Sequence, residues 1–511
     1  MEWIIVIYKQ LTMKLSSMMK TLIFLGLLIN CLIFSLPTVA GYQDRTFSKL
    51  ENILDGKKRD ILSRLDIEKE KVASASKDAI LLEAFWNFQQ PSSRSNSLDK
   101  IKLLDGHYIA NYSEFYDILF IAEDGLVFHS IKMESDFRQN LFDGELSNSL
   151  LSRNLQSNAE IEFIDYDYYF PSKEPAAFFI TRVNDGDKNL GWMVFQFAIN
   201  AINSTLSDHQ ELGKTGEIYL TNAEKIMITQ SRLLPENTSL QLKVNTQAPN
   251  LALTETKGKK LLSDYRGVMV FSVFERFKFS GVAWVIIVEM DEDEVITNYY
   301  QANKDTILPS LFDHLSPGKL LSQLPTRTSA DRLRVDINEY AKADLNEQIS
   351  TYGIASCTGI LISMPQRYTY LGHIYPLDDV YRSQWSKVFL NFGLWISGEE
   401  SIDERRDLLE DMIARIKRFE SYPYELNKLN IILAAVHTDS LEGAIDKLLE
   451  EGFFLSQITV LFDPEKSSVN ILAQGGNTQS LFEWNNSVTD KKQWTELGET
   501  ANLAQQVKRY F

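Results

Sequence analysis

Cysteine is nearly missing from this sequence: two of 511 residues, Cys31 and Cys357. Cys31 falls in an N-terminal stretch that reads as an export signal, so the exported chain keeps one thiol and no internal disulfide. Histidine is scarce too. His107, His129, His209, His314, His373 and His437 show no ligand spacing, so neither a metal nor another cofactor is expected. Positive charge is in deficit, with 52 Lys and Arg against 69 Asp and Glu and a net charge of −17. That surface repels phosphate backbones and excludes nucleic acid as an expected partner. Long apolar runs are absent after the first forty residues, so everything from Gly41 onward is expected on one side of a membrane.

What is there begins with that N-terminus. Residues 21–40, TLIFLGLLINCLIFSLPTVA, follow Lys9, Lys14 and Lys20 and end in Pro37 and the small-residue step Thr38-Val39-Ala40 before Gly41. This resembles a signal peptide with its cleavage site, and it is just long enough to span a bilayer as a signal anchor if uncut. The lysines in front hold the N-terminus inside and send the rest out. Asn30 stands where a lipobox needs a small residue before Cys31, which argues against lipid attachment. Periplasmic or extracellular localisation follows, with anchoring by residues 21–40 left open.

The chain is too long for one core. Residues 42–90 show helical spacing (Leu50, Ile53, Leu54, Ile61, Leu62, Leu65, Ile67, then Ile80, Leu81, Leu82, Phe85) and predict one or two long helices. Strand-like runs follow. YDILFIAEDGLVFHSI (116–131) predicts a hairpin around Glu-Asp-Gly, and AAFFITRV with GWMVFQFAI predicts another. The pattern recurs: GEIYLTNAEKIMITQS (216–231) predicts a third hairpin, and GVMVFSVFERF with GVAWVIIVEMD closes a second antiparallel sheet. Two similar α+β units are expected.

These segments, in this order over 42–296, resemble double Cache domains, the extracytoplasmic sensors of bacterial chemoreceptors and sensor kinases. The resemblance implies a long N-terminal helix, two PAS-like modules over 42–300, and a small-molecule pocket, usually in the membrane-distal module. Tyr166, Tyr168, Tyr169 and Phe178 are candidates for its wall, although aromatics at strand spacing are more often core. Such receptors continue into a second membrane helix. Here a polar, helical-looking stretch after Tyr299 and LSPGKLLSQLPTRTSADR (315–332) predict a linker over 301–334 and a further domain over 335–511.

That further domain reads as α/β. Expected are a strand over 350–363, a turn at Pro365-Gln366, a strand over 368–377, a helix over 402–419, a strand over 429–437, a helix over 440–451 and a closing hairpin over 457–473. Cys357 follows small residues (Gly353, Ala355, Ser356), a setting that can leave the sulfur open to solvent with backbone N–H groups nearby as an oxyanion hole. His373 lies on the strand a tight return would lay alongside, where an imidazole can lower a thiol pKa and shuttle protons. Thr351 offers a hydroxyl to orient either the histidine or the substrate. On spacing alone, a buried inert cysteine is the commoner outcome.

INEYAKADLNEQISTYGIASCTGILI (337–362) and YLGHIYPLDD (370–379) resemble the CheD family, the chemoreceptor glutamine deamidases. By position, Thr351, Cys357 and His373 fall on that family's catalytic residues, and Gly353 and Ser356 match its turn. Ala355 replaces the second glycine of the turn, and Leu433-Ala434-Ala435-Val436 replaces a Gly-Gly-Ala segment. The resemblance implies attack of the Cys357 thiolate on a glutamine carboxamide, His373 protonating the departing ammonia, and hydrolysis of the thioester to glutamate. A protein substrate would then be the partner. The alternative is a non-enzymatic signalling protein whose degenerate domain docks a membrane partner, with a homodimer possible in either case.

Overall fold

A computed structural model describes residues 39–89, 97–156, 162–186, 188–208, 210–321, 333–374, 408–420, 423–476, 480–486, 493–497 and 502–510. The export stretch 21–40 lies outside them except for its last two residues, where the first helix begins. Among the described residues no helix is long and apolar enough to cross a membrane.

Helix α1 (Val39–Ala75) buries Leu50, Leu54, Ile61, Leu65 and Val72, spaced so that each returns to the same face. Ile67, also expected on that stripe, is exposed. The helix gives way at Asp78, whose Oδ1 accepts the N–H groups of Ile80 (2.9 Å) and Leu81 (3.1 Å) and so caps α2 (Ala79–Gln89). After α3 (Ser97–Asn111) come the strands of the first module: β1 (Asp117–Ala122), β2 (Val127–Ser130), β3 (Phe163–Tyr169), β4 (Glu174–Asp185) and β5 (Lys188–Ala198). They form one antiparallel sheet in the order β2-β1-β5-β4-β3. Both expected hairpins are present.

The second module repeats the plan with β6 (Glu217–Asn222), β7 (Lys257–Ser263), β8 (Met269–Phe279) and β9 (Val282–Asp291), ordered β6-β9-β8-β7. The hairpin expected over 216–231 is only half there. β6 pairs with β9, and its return arm lies beside it only briefly, at the bridge Thr221–Met227, where Ile228 N–H donates to the Leu220 carbonyl (2.8 Å) and Asn222 N–H to the Ile226 carbonyl (3.0 Å). Helix α1 packs against β4, β8 and β9 and so ties the modules together.

The linker expected over 301–334 needs correction. A helix, α4 (Glu292–Phe312), runs straight out of β9 through its first twelve residues, and Ile307, Leu308 and Leu311 are buried. Its helical look was legible, but its polar spacing hid that one face is covered by the third unit. Tyr299 Oη donates to the Tyr510 carbonyl (2.6 Å), Ser456 Oγ to Asp293 (2.6 Å), and Lys304 Nζ reaches Asp446 (2.6 Å).

That third unit stacks two sheets and a helical layer. One sheet runs β10 (Lys319–Leu320), β20 (Gln493–Glu496), β19 (Leu481–Asn485), β18 (Ser468–Gln474), β13 (Gln348–Ile354), β11 (Leu333–Val335). The other runs β12 (Glu339–Asp344), β15 (Tyr368–Ile374), β14 (Thr358–Met364), β16 (Asn430–Ala435), β17 (Ile458–Phe462). The single strand expected over 350–363 is therefore two strands in two sheets, because the chain bends at Ala355–Cys357 after Gly353 (φ +73°). The closing hairpin over 457–473 is likewise split. β17 lies parallel to β16, whereas β18 pairs with β13 in the other sheet. Helices Leu408–Arg415 and Thr438–Glu450 match the two expected, and residues 375–377 and 402–407 of the expected strand and helix lie outside the described residues.

Limited trypsinolysis tests the docked exit helix. Lys304 should resist cleavage under conditions that cut the exposed lysines of this chain first, as read by peptide masses; early cleavage at Lys304 would mean a free linker.

Candidate functional site

The third unit brings two of its three expected catalytic residues together. β14 and β15 form a hairpin in which Gly359 faces His373, so the imidazole points into the space between the two sheets. From the opposite sheet Thr351 reaches across, and its Oγ1 lies 2.8 Å from His373 Nδ1. Both residues are buried, and His373 Nε2 has no hydrogen-bond partner. Burial holds the imidazole pKa below its usual value, against a smaller pull upward from Asp336, so His373 is neutral at neutral pH.

Cys357 departs from expectation. It is 4% exposed and packs in the inter-sheet core with Ile354, Leu361, Val469 and Ile471, so the open sulfur inferred from its small neighbours is not found. The sheets approach so closely here that a Cβ on Gly359 would lie 2.3 Å from Ile471 Cδ1 and 2.5 Å from Ile354 Cδ1. No hydrogen bond joins the thiol to His373, whose Nδ1 is taken by Thr351 and whose Nε2 is unpartnered. Burial pushes the thiol pKa up, against a weaker effect of the Ser356 hydroxyl. Gly353 carries the left-handed φ its type allows, but its N–H donates to Asn470 Oδ1 (2.7 Å) and is not free to hold an oxyanion. Ser356 is exposed, and Ala355 avoids positive φ. This conformation holds a neutral thiol away from solvent.

The four aromatic candidates of the first module separate. Tyr166 turns toward the second module and stacks on Trp284 (centroids 6.1 Å apart), and Tyr168 is 56% exposed; neither shares a wall with the others. Tyr169 and Phe178 meet edge to face at 5.0 Å, and Tyr169 Oη donates to Asp136 Oδ2 at 2.8 Å.

That hydrogen bond opens onto a group the sequence reading overlooked. Asp117, the first residue of β1, is fully buried beside Gln196 of β5. Its Oδ1 accepts the N–H groups of Ile118 (2.7 Å), Ile131 (2.8 Å) and Lys132 (3.1 Å), and its Oδ2 has no hydrogen-bond partner. Asp136 is fully buried with Oδ1 unpartnered; half-buried Glu134 and Glu174 each carry one buried, unpartnered oxygen. Tyr116 Oη donates to Glu134 at 2.7 Å at the rim. Burial pushes Asp117 up to about 6, with the Asp136 charge adding to it and the backbone N–H groups opposing. A signal existed: YD at a strand start and MESD just after its partner put acids where a sheet face turns inward.

The second module has a counterpart at the same place. Glu217, the first residue of β6, faces Glu289 of β9, as Asp117 faces Gln196. Here each acid is satisfied from within. Glu217 accepts from Ser231, Tyr265 and the Arg232 N–H; Glu289 accepts from Tyr219 (3.1 Å) and Ser272 (2.8 Å). Arg266 bridges Asp264 (2.6 Å) and Asp291 (2.5 Å).

No family model and no curated protein matches the chain. Among solved structures it is similar to an extracellular ligand-binding receptor from Desulfohalobium retbaense, at 10% identity and TM-score 0.34 over 46% of this chain and 39% of that one. It is also similar to the ligand-binding domain of the Pseudomonas aeruginosa amino acid chemoreceptor PctB in complex with L-Arg (11%, TM-score 0.34, 50% of this chain and 92% of that one). The sensor domain of the V. cholerae histidine kinase DctB is a further neighbour (14%, TM-score 0.32, 49% of this chain and 98% of that one).

Glu289 supplies a pH test of the buried acids. Burial, together with the charges of Asp264 and Glu217, pushes its carboxyl up to about 8 in spite of its two hydroxyl donors. An acid whose folded pKa lies above its unfolded one loses stability as pH rises between the two, here from about 4.5 to about 8. Glu289→Gln should therefore melt several degrees above the parent at pH 8 and level with it at pH 4.5, by calorimetry. A second substitution tests the sheet contact at Cys357: Gly359→Ala should cost about 1–3 kcal/mol in denaturant unfolding, as overpacked cores do.

Proposed function

We propose that this chain is an exported small-molecule sensor: a double Cache-like unit over 42–300 receives the ligand, and a CheD-like domain over 335–511, carried on the exit helix, docks a signalling partner. The observation that supports this reading is the buried polar floor of the first module, where Asp117 and Asp136 sit fully buried with oxygens that nothing in the protein satisfies. A folded protein seldom leaves such groups unpaired without use for them. In the resemblance to double Cache sensors this is the membrane-distal module, the usual place of the pocket. The export stretch supports an extracytoplasmic location.

For the third unit, the sealed neutral thiol favours docking over catalysis. The second reading, protein-glutamine deamidation, is favoured by one observation: Thr351 holds His373 at 2.8 Å through Nδ1 and leaves Nε2 buried and unengaged, as a Cys–His hydrolase needs before its nucleophile swings in.

Alkylation separates the two. In a chain beginning at Gly41, Cys357 is the sole thiol, and iodoacetamide at pH 7.5 should modify it at least tenfold more slowly than free cysteine. Faster modification, with a gain of about one mass unit on a candidate target that Cys357→Ala abolishes, would establish the deamidase instead. The sensor reading is tested by screening a broad small-metabolite library for compounds that raise the melting temperature of the same chain.

A further inference from the structure

Two equivalent acid clusters, one complete and one incomplete, define what the first module lacks. In the second module Glu217, Asp264, Glu289 and Asp291 have no unpartnered buried oxygen, and the guanidinium of Arg266 lies between two of them. In the first module all four acids, Asp117, Glu134, Asp136 and Glu174, keep one. Their charges act on one another: Asp136 on Asp117, and Glu134 on both Asp136 and Glu174. Among the described residues no basic side chain forms an ion pair with them. Lys132, whose N–H donates to Asp117, is exposed, lies over the Tyr116 ring at 5.3 Å, and makes no ion pair among the described residues. Buried charges of one sign need a counter-charge.

We infer that the first module binds a small organic cation, an amine or ammonium compound without a carboxylate, whose charge lies among Asp117, Glu134, Asp136 and Glu174. This rests on the sensor reading above and names the chemistry of its ligand. Half-buried Glu134 and Glu174 form the entrance, and the buried pair Asp117 and Asp136 forms the floor. Tyr169, oriented by Asp136, offers an aromatic wall on which an alkylammonium can rest. Among the described residues no arginine or lysine pairs with these four acids, which selects against ligands that also carry a carboxylate and would meet four like charges. A bare metal ion fits poorly, because among the described residues no group of three or more acids, histidines or cysteines is arranged to hold one.

Calorimetric titration and thermal shift of the chain from Gly41 at pH 7.5 decide it, with ethanolamine, choline, putrescine and spermidine set against alanine, 4-aminobutyrate, succinate, Mg2+ and Ca2+. At least one amine should bind and raise the melting temperature, while the carboxylate-bearing compounds do not. Asp117→Asn and Asp136→Asn should each weaken that amine tenfold or more while leaving the ligand-free protein as stable or more so, and Lys132→Met should leave binding unchanged. If every amine fails while another member of the broad library binds, the sensor reading stands and the cation assignment falls. If a carboxylate-bearing compound or a divalent cation binds in place of the amines, the assignment falls as well. If nothing in the library binds, both fall together.

Discussion

Charge removed from water must be met by opposite charge or by hydrogen bonds, and that demand shapes both of the first two sheet modules. The two modules share a sheet plan and place a pair of polar residues at the same register, Asp117 with Gln196 and Glu217 with Glu289. One module answers the demand internally with Arg266, Tyr265, Ser231 and Ser272. It is a finished core, and it gains rigidity from being finished. The other stops short of completion. A repeated fold thus carries one copy whose acids are paired internally and one whose acids keep unpartnered oxygens, the difference lying in Arg266 and the hydroxyl donors.

The third unit shows the same economy applied to a nucleophile. Close packing of two sheets at Gly359 lets Thr351 cross from one to the other and fix the imidazole of His373. That packing also encloses Cys357 among Ile354, Val469 and Ile471. Orientation of the histidine and exposure of the thiol therefore compete: the contact that builds one half of a catalytic pair shuts away the other. A CheD-like reaction would require the bend at Ala355–Cys357 to move while the Thr351–His373 contact persists. The bend lies between strands of different sheets, outside the hydrogen-bonded ladders of either, so it is the part of the site that costs least to shift.

The architecture was legible where β-rich runs are broken by turn residues and where a helix buries one face. The runs on either side of Glu123-Asp124-Gly125 and of Asn184-Asp185-Gly186-Asp187 revealed the first sheet, and the stripe from Leu50 to Leu65 revealed the long helix. The reading failed where one apolar run passes between two sheets. In 350–363 the residues up to Ile354 belong to one sheet and those from Thr358 to the other, and a continuous apolar run does not show where the chain changes sheets. For 301–312 the helical look was legible and the docking was not, because ion pairs and hydrogen bonds share it with Ile307, Leu308 and Leu311. In the candidate sites, the Thr351–His373 contact was one of the two roles open to that hydroxyl from spacing and resemblance. Asp117 and Asp136 were missed although their placement at a strand start and just after its partner was a signal, because that placement marks an inward face only once the sheet's neighbours are known.

The exit helix turns these separate features into one mechanical unit. It leaves β9 directly at Glu292, so any change in the second sheet is transmitted to its first turn. There Glu294 accepts the N–H groups of Lys214 and Thr215 from the segment that leads into β6, which ties the helix start to both edges of the Glu217–Glu289 pair. Further along, Thr297 Oγ1 accepts the N–H of Leu455 and Lys304 pairs with Asp446 in the third unit. A helix held at both ends by buried contacts passes on displacement instead of absorbing it, as a flexible linker would. Ordering of the first module by a ligand would reach the third unit through α1 and this helix, along packed elements throughout. The third unit is thereby the structural continuation of the second sheet, joined to it by a packed helix.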